Sequence, residues 1–369
     1  LFLVVFSYLY AGVKYHSTAN VKKNSIGYYN FFCPNCLHLN TLFAQILKFY
    51  LNLKRHLELR LKKMANAVEN IIKTIYENYL PMEGAGKVAD YIPPLAKVSP
   101  HKYAISVCTV EGEKFNIGDY TEKFSIQSIS KVLTFSLRAP WVGEELWQSV
   151  GKEPSGSPFN SLVQLEYEKG IPRNPFINAG ALVITDKLLE KVPNLNERLL
   201  LYVRELAGSA DIDFNKEVAD SEYATGERNK ALAHLMKSFG NFNGKVSHVF
   251  RTYCNHCSIE MNTAQLAQSF LFLANGGINP LNGERVVSTR DTKRINALML
   301  TCGLYDESGD FAYKVGMPGK SGVGGGIVAV IPGRLSIAVW SPELNRYGNS
   351  TRGIATLADF TTELGISVF

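Results

Sequence analysis

Two pairs of short hydrophobic runs, one near each end of the main part of the chain, predict β-hairpins. The first pair, in YAISVCTVEGEKFNIGDY, predicts strands over 103–110 and 114–117 around a Glu-Gly turn. The second pair, in GIVAVIPGRLSIAVWSP, predicts the strands IVAVI and LSIAVW, joined by a turn at Pro332 and Gly333. We expect the two hairpins to share one antiparallel sheet.

Between the hairpins, apolar residues recur at the three- and four-residue spacing of helices. Leu232, Leu235, Met236 and Phe239 form one such face, and NTAQLAQSFLFLANGG predicts a helix that ends at a Gly-Gly pair. After the last strand, NSTRGIATLADFTTEL predicts a closing helix. Strands at both ends with helices between them predict an α+β fold, an antiparallel sheet flanked by helices with an inserted helical lobe.

The N-terminal part of the chain differs from the rest. Residues 1–63 show no sustained periodicity, and their first apolar run is too short to span a bilayer. Beyond Met64, ANAVENIIKTIYENYL predicts an amphipathic helix with Asn66 as its N-cap and Pro81 as its stop. We therefore predict that 1–63 is an N-terminal extension, either upstream translation or a disordered leader, and that 64–369 is the folded domain.

The distribution of charge argues against nucleic-acid and membrane partners. The net charge of +6 is concentrated in residues 1–63, which hold nine Lys and Arg and a single acid, Glu58. Residues 64–369 hold the other 30 basic and 32 acidic side chains, so this part is close to neutral. A near-neutral body gives no electrostatic reason to bind DNA, RNA or an anionic surface.

The six cysteines predict neither a disulfide scaffold nor a metal site. Cys33 and Cys36 form a CxxC with His38 nearby, but no second CxxC supplies the remaining zinc ligands. Cys254 and Cys257 flank a histidine at a spacing too tight to wrap one tetrahedral ion. We expect reduced, packed cysteines, as in a cytoplasmic protein, and no metal.

The segment FSIQSISKVLTF carries the first candidate chemistry. Ser128 and Lys131 lie one helical turn apart, whereas Ser130 points elsewhere. Burial lowers the pKa of a lysine, so Lys131 can take the proton of a serine that would otherwise be a poor nucleophile. Backbone N–H groups at a helix start can stabilise an oxyanion beside that serine. This pattern indicates an acyl-transfer site.

The segment GKSGVGGG, at 319–326, supplies a second element. Lys-Ser/Thr-Gly beside an edge strand is typical of serine acyl enzymes of the penicillin-recognising type. Its glycines allow close approach of the backbone to a substrate, so an N–H here can be the second oxyanion donor.

Six ordered blocks resemble one known family. The chain from about Met64 to Phe369 closely resembles the serine-dependent glutaminases, the bacterial enzymes and their kidney- and liver-type relatives. The blocks are GKVADYIPPLAKVSP (86–100), FSIQSISKV (124–132), GKEPSGSPFNSLVQLEYEKGIPRNPFINAGAL (151–182), SEYATGERNKALA (221–233), CSIEMNT (257–263) and GKSGVGGGI (319–327).

The resemblance implies hydrolysis of L-glutamine to L-glutamate and ammonia through an acyl-serine, on a β-lactamase/penicillin-binding-protein-like fold. It implies no cofactor and a homo-oligomer, a dimer or tetramer. By matching blocks, Ser128 is the nucleophile and Lys131 its activating partner, with Tyr91 and Tyr305 as proton shuttles beside it. Which of Lys131, Tyr91 and Tyr305 is the general base stays open.

The same blocks imply the substrate contacts. The N–H groups of Ser128 and Val323 would form the oxyanion hole, and Ser128, Tyr305 and Val323 would touch the substrate. The remaining substrate-binding positions are Asn178, Glu222, Asn229 and Tyr253. Glutamine carries an ammonium, a carboxylate and an amide, for which an anion and several hydrogen-bonding groups are suitable partners.

Two alternatives belong to other classes. A penicillin-interacting peptidase or β-lactamase would share the Ser-x-x-Lys and Lys-Ser-Gly elements, but we find no Ser-Asp-Asn-type loop and no export signal. A catalytically silent binding protein would have lost a key residue, yet Ser128, Lys131, Tyr91 and Tyr305 are all present.

Overall fold

The computed structural model describes residues 34–82, 84–138, 142–156 and 161–369. The chain divides into two units, Leu1–Leu61 and Lys62–Phe369. All nine predicted site residues belong to the second unit, whose architecture is described below.

The described residues form eight strands. They are β1 (Ala104–Thr109), β2 (Lys114–Gly118), β3 (Phe124–Ser125), β4 (Asp213–Phe214), β5 (Ile259–Met261), β6 (Gly319–Ser321), β7 (Gly326–Ile331) and β8 (Leu335–Trp340). Five of them make an antiparallel sheet in the order β2-β1-β8-β7-β6, and three make a small sheet in the order β3-β5-β4.

The two predicted hairpins are confirmed, and they share one sheet as expected. β1 pairs with β8, Ala104 opposite Trp340 and Thr109 opposite Leu335. The predicted strand boundaries differ from the observed ones by at most one residue. The turn between β7 and β8 needs Gly333, whose φ of 75° is in the left-handed region that favours glycine.

Thirteen α-helices occur in the described part of the chain. They are α1 (Pro34–Tyr79), α2 (Pro93–Ala96), α3 (Ser130–Leu137), α4 (Leu162–Tyr167), α5 (Asn178–Lys191), α6 (Leu195–Ala207), α7 (Lys216–Thr225), α8 (Glu227–Ser238), α9 (Val246–Cys257), α10 (Thr263–Ala274), α11 (Thr289–Cys302), α12 (Ser308–Val315) and α13 (Thr351–Leu364). Short 3-10 helices lie at Gln127–Ile129, Glu144–Gln148 and Tyr305–Glu307.

Helices cover both faces of the five-stranded sheet, which explains why its central strands are continuously apolar instead of alternating. In β1, Ala104 and Cys108 join the hydrophobic cluster that contains α10, while Ile105 and Val107 join the cluster that contains α13. All six residues of each of β1, β7 and β8 are buried. The sheet is therefore a rigid support for the loops at its ends.

The predicted start of the first helix is wrong. Asn66 does not cap a helix, because α1 runs without interruption from Pro34 to Tyr79. Residues 51–63, LNLKRHLELRLKK, are mostly good helix formers without Gly or Pro, so nothing in them ends a helix. The predicted apolar face is present, since Val68, Ile72 and Ile75 are buried.

The helical lobe lies between β2 and β6 in sequence. Its core packs α5, α8 and α9 together through residues such as Leu182, Met236 and Phe250. Leu232 and Met236 are buried as predicted, but Phe239 follows the end of α8 and is 41% exposed. The helix predicted before the Gly-Gly pair is α10, and the predicted closing helix is α13. No helix in the described residues is long and apolar enough to cross a membrane.

Candidate active site

Ser128 lies in a tight turn that two elements hold in place. It is the middle residue of the 3-10 helix Gln127–Ile129, directly before α3. β3 leads into this turn and pairs with β5, and the N–H of Ile126 donates to the carbonyl of Ile259 at 2.9 Å. Gln127, immediately before the serine, has a φ of 49°, an uncommon backbone conformation for a residue with a side chain.

The glycine run after β6 packs directly on the segment that leads to Ser128. A Cβ on Gly322 would overlap the carbonyl oxygen of Ile126, and one on Gly324 would overlap that of Ser125. Only glycine permits this approach of two backbones. Val323, between the two glycines, is thereby brought to the same site as Ser128.

Lys131 is buried beneath the site. Its Nζ donates to Asn178 Oδ1 at 2.6 Å and to the carbonyl of Phe176 at 3.3 Å. Burial lowers the pKa of Lys131 to about 8, although Cys257 and Glu222 act in the opposite direction. A substantial neutral fraction is therefore present in mildly alkaline solution, as a proton acceptor requires.

Asn178, the first residue of α5, connects Lys131 with two other predicted residues. Its Oδ1 also accepts from the Tyr253 hydroxyl at 3.4 Å, and its Nδ2 donates to Asn229 Oδ1 at 2.9 Å. The turn before α5 is fixed by Asn174, whose Oδ1 accepts from the N–H groups at 176 and 177. A single amide side chain thus joins α3, α5, α8 and α9 at the site.

Glu222 is buried near the end of α7, which Asn215 caps at its start. Its Oε2 has no hydrogen-bond partner among the described residues. Burial raises the pKa of Glu222 to about 7, while Lys131 and hydrogen bonds from Cys257 and Gln127 to the carboxylate oppose this increase. A buried carboxylate oxygen without a partner is costly, so it favours a cationic ligand beside it.

Tyr305 and Tyr91 differ in exposure. Tyr305 is 7% exposed, and its hydroxyl interacts with Ser128 and Ser321. Its backbone has a φ of 50° at the start of the turn Tyr305–Glu307. Burial raises the pKa of Tyr305 well above its usual value. Tyr91 is 57% exposed and lies at the edge of the site.

These side chains enclose one cavity of about 290 Å³. Turns and one-turn helices supply its loop wall, which we define as Ser128, Tyr305 and Val323. The α-helices supply its helix wall, defined as Asn178, Glu222, Asn229 and Tyr253. Tyr91 also lines the cavity, while Lys131 is buried beside it. The structure thus brings all nine predicted residues together.

Several residues of the site were not predicted from the sequence. Ile92, Gln127, Thr225, Gly226 and Arg228 also line the cavity. All five lie in the blocks that carry the family resemblance, so proximity to Ser128, Tyr91 and Glu222 along the chain was the available signal.

The cysteine predictions concern two places. Cys254 and Cys257 are free and buried in α9. The Cys33, Cys36 and His38 group lies outside the residues whose side chains are described. Within the described part of the chain, no cluster of three or more His, Cys, Asp or Glu is arranged to hold a metal ion.

Comparisons with known proteins identify the family. The glutaminase family model matches residues 86–369. A glutaminase of Aeromonas salmonicida (strain A449) is 54% identical over 300 residues, which cover 81% of this chain and 98% of the relative. A glutaminase of Agrobacterium fabrum (strain C58) is 55% identical over 304 residues, covering 82% of this chain and 98% of the relative.

Solved structures of glutaminases are also similar to this chain. The probable glutaminase YbaS has a TM-score of 0.79 at 38% identity, and the match covers 82% of this chain and 98% of that one. A probable glutaminase from Bacillus subtilis, in complex with 6-diazo-5-oxo-L-norleucine, has a TM-score of 0.71 at 32% identity over 83% and 96% of the two chains. These matches favour a glutaminase over the penicillin-interacting and silent alternatives. The chain belongs to the glutaminase family.

Proposed function

We propose that this enzyme hydrolyses L-glutamine through an acyl-serine intermediate on Ser128, in the cavity between the loop wall and the helix wall. One observation carries the proposal. Ser128 and Glu222 line the same small cavity, which offers a nucleophile and an anion for an ammonium group to one molecule.

Glutamine suits these walls chemically. Its ammonium would neutralise Glu222, and its α-carboxylate would accept hydrogen bonds from groups such as Asn229 and the Tyr253 hydroxyl. With the amino-acid end bound by the helix wall, the side-chain amide extends to the loop wall. There its carbonyl oxygen would accept hydrogen bonds from the N–H groups of Ser128 and Val323.

In the first half-reaction, Ser128 Oγ attacks the amide carbon while a base takes its proton. The carbon–nitrogen bond then breaks, and the leaving nitrogen gains a proton and departs as ammonia. The product is a glutamyl ester of Ser128. In the second half-reaction, water attacks this ester, the ester bond breaks, and Ser128 regains its proton as glutamate leaves.

We assign the first proton transfer to Lys131. The lysine follows Ser128 by one helical turn, and burial holds its pKa at about 8. Tyr305, which interacts with Ser128, would pass the proton to the leaving nitrogen. Tyr91, at the exposed edge of the cavity, would help to cover the bound substrate.

Three further expectations, on the fold, the cellular location and the oligomeric state, accompany the mechanism. The antiparallel sheet with helices on both faces, and the serine at a helix start, support a β-lactamase-like fold. The four described cysteines are free, which suits a reducing cytoplasm. We also expect a homo-oligomer, a dimer or a tetramer, which light scattering would detect.

The test compares Ser128→Ala with the matched variant Ser130→Ala. Ser130 is its buried neighbour in α3, so both changes remove one buried hydroxyl from the same segment. We expect Ser128→Ala to abolish ammonia and glutamate release, whereas Ser130→Ala keeps most of the activity. Circular dichroism and thermal unfolding verify that both variants are folded.

A second measurement locates the covalent bond. The diazoketone 6-diazo-5-oxo-L-norleucine has a glutamine-like shape with an electrophilic carbon near the position of the amide. We expect it to alkylate Ser128 with loss of N2, which peptide mass spectrometry detects. Activity in folded Ser128→Ala, or labelling of a different residue, would refute the acyl-serine mechanism.

A further inference from the structure

Lys320 is a second buried lysine at the site, and the reaction described above does not use it. It lies in the middle of the edge strand β6, opposite Val328 of β7, and it is 0% exposed. A side chain of this kind at such a place costs stability unless its amino group has partners. Its partners therefore indicate its role.

The amino group of Lys320 has two neighbours. Nζ donates to the carbonyl of Ser321 at 2.7 Å, and it lies 4.6 Å from the centre of the Tyr305 ring. Among the described residues, Lys320 forms no ion pair with a carboxylate. The π face of an aromatic ring attracts both ammonium and amine N–H groups, so this contact is favourable in either protonation state.

The conformation of Tyr305 requires stabilising contacts of this kind. Its backbone is in the left-handed region, which is uncommon for a residue with a bulky side chain. Its hydroxyl interacts with Ser128 and with Ser321, the residue whose carbonyl accepts the Lys320 hydrogen bond. The amino group of Lys320 therefore lies against the ring of Tyr305. Its hydrogen bond to the Ser321 carbonyl also links it to the residue that interacts with the Tyr305 hydroxyl.

We propose that Lys320 is a positioning residue that holds the ring of Tyr305 so that its hydroxyl faces Ser128. This inference rests on the proposed roles of Ser128 and Tyr305. Lys320 does not line the cavity and is not expected to touch glutamine. Its removal should therefore change kcat through the orientation of Tyr305 and should change KM little.

The experiment is a double-mutant cycle with Lys320→Met, Tyr305→Phe and the double variant, measured as kcat and KM for glutamine. Lys320→Met keeps a long apolar side chain and removes the amino group. We expect it to lower kcat by about 10- to 100-fold, part of the contribution of a proton-transferring group, with KM changed less than about threefold. In the Tyr305→Phe background, the same change should lower kcat by less than about twofold.

Two further variants are matched to this cycle. Lys320→Arg keeps N–H donors at the ring, so it should retain a measurable part of kcat. Lys314→Met makes the same exchange at an exposed lysine of α12, which pairs with Asp310, and should leave kcat and KM unchanged.

An undiminished effect of Lys320→Met in the Tyr305→Phe background would overturn the proposal, as would an unchanged kcat. Should Lys320→Met fail to fold, Lys320→Gln replaces it in the cycle, since an amide still donates to the Ser321 carbonyl. Failure of both variants to fold would show a purely structural role. Activity in Ser128→Ala, measured alongside, would instead refute the proposed function, so the two failures are distinguishable.

Discussion

The two walls of the cavity are built differently. The loop wall depends on unusual backbone: positive φ at Gln127 and Tyr305, and glycines at 322 and 324 that touch another backbone segment. The helix wall uses ordinary α-helices, and its functional atoms belong to side chains. This difference fits the proposed mechanism, in which the loop wall would mainly place backbone N–H groups and a nucleophile, and the helix wall would bind the charged groups of the substrate.

The strained backbone of the loop wall and the regular helices of the helix wall suit these two proposed tasks. A nucleophile and two N–H groups must converge within hydrogen-bond distance of one carbonyl, which regular helices and strands do not provide. Recognition of an amino acid requires only that a few polar side chains on neighbouring helices point into one cavity. We therefore expect substitutions in the loop wall to change kcat and those in the helix wall to change KM.

The largest effect should come from Tyr305→Phe in the loop wall. Phenylalanine keeps the ring packing but removes the hydroxyl that interacts with Ser128. We expect kcat to fall by about 10²- to 10⁴-fold, the usual contribution of a proton-transferring group, with little change in KM. Steady-state ammonia release measures both. Tyr313→Phe, at a tyrosine that is 89% exposed, is the control. A large rise in KM with an unchanged kcat would contradict the division between the walls.

Glu222→Gln should have the next largest effect, on KM. The amide keeps the shape of the side chain but loses the charge that the substrate ammonium would neutralise. A hydrogen bond to a charged group contributes about 1.5–3 kcal/mol, so KM should rise by about 10- to 150-fold.

The matched control for this change is Glu217→Gln, at a residue of the same helix that pairs with Lys97 on the surface. It should leave KM unchanged. If Glu222→Gln lowered kcat instead and left KM at its wild-type value, Glu222 would act in the reaction and not in recognition.

The two walls also differ in how far the sequence predicted them. In the loop wall, Ser128 and the Lys-Ser-Gly element beside Val323 were expected from spacing and chemistry, because a strained turn leaves a local signature of glycines and short polar residues. Tyr305 was expected only from the family resemblance. Glu222 and Asn229 carry no such signature, since an acid and an amide on a helix are typical of a solvated face. Only the family resemblance pointed to them.

The fold shows the same division. Both hairpins and the helices α8, α10 and α13 followed from apolar periodicity, because their burial pattern is regular, whereas α5, α6, α9 and α11 were not predicted. The start of α1 did not, since a possible cap at Asn66 has no effect when good helix formers precede it. The approach of Gly322 to Ile126 is a long-range contact between backbones, and a local pattern cannot contain it.

The pH dependence of kcat/KM should report on Glu222 of the helix wall and on Lys131, which is buried beside the cavity. Glu222, with a pKa of about 7, loses its negative charge as the pH falls, and Lys131, with a pKa of about 8, becomes cationic and cannot accept a proton. The active form has both groups deprotonated, so kcat/KM should fall about tenfold per pH unit between 8 and 7, and more steeply below 7. In Glu222→Gln, kcat/KM below pH 7 should fall by only about tenfold per pH unit, because only Lys131 still titrates. An unchanged slope in that variant would exclude Glu222 as the more acidic group.

The smallest effect should come from Val323→Ala, although Val323 is part of the loop wall. Its proposed contribution is the backbone N–H, which alanine retains, so kcat and KM should stay within about threefold of the wild type. Its side chain is 7% exposed and packs with Ile92, Leu95 and Tyr305 in a small apolar cluster. Removing two methyl groups there should cost about 1–2 kcal/mol of unfolding free energy, which urea titration measures. A loss of kcat as large as that of Tyr305→Phe would mean that side-chain packing, and not glycine-guided backbone, sets the position of the N–H.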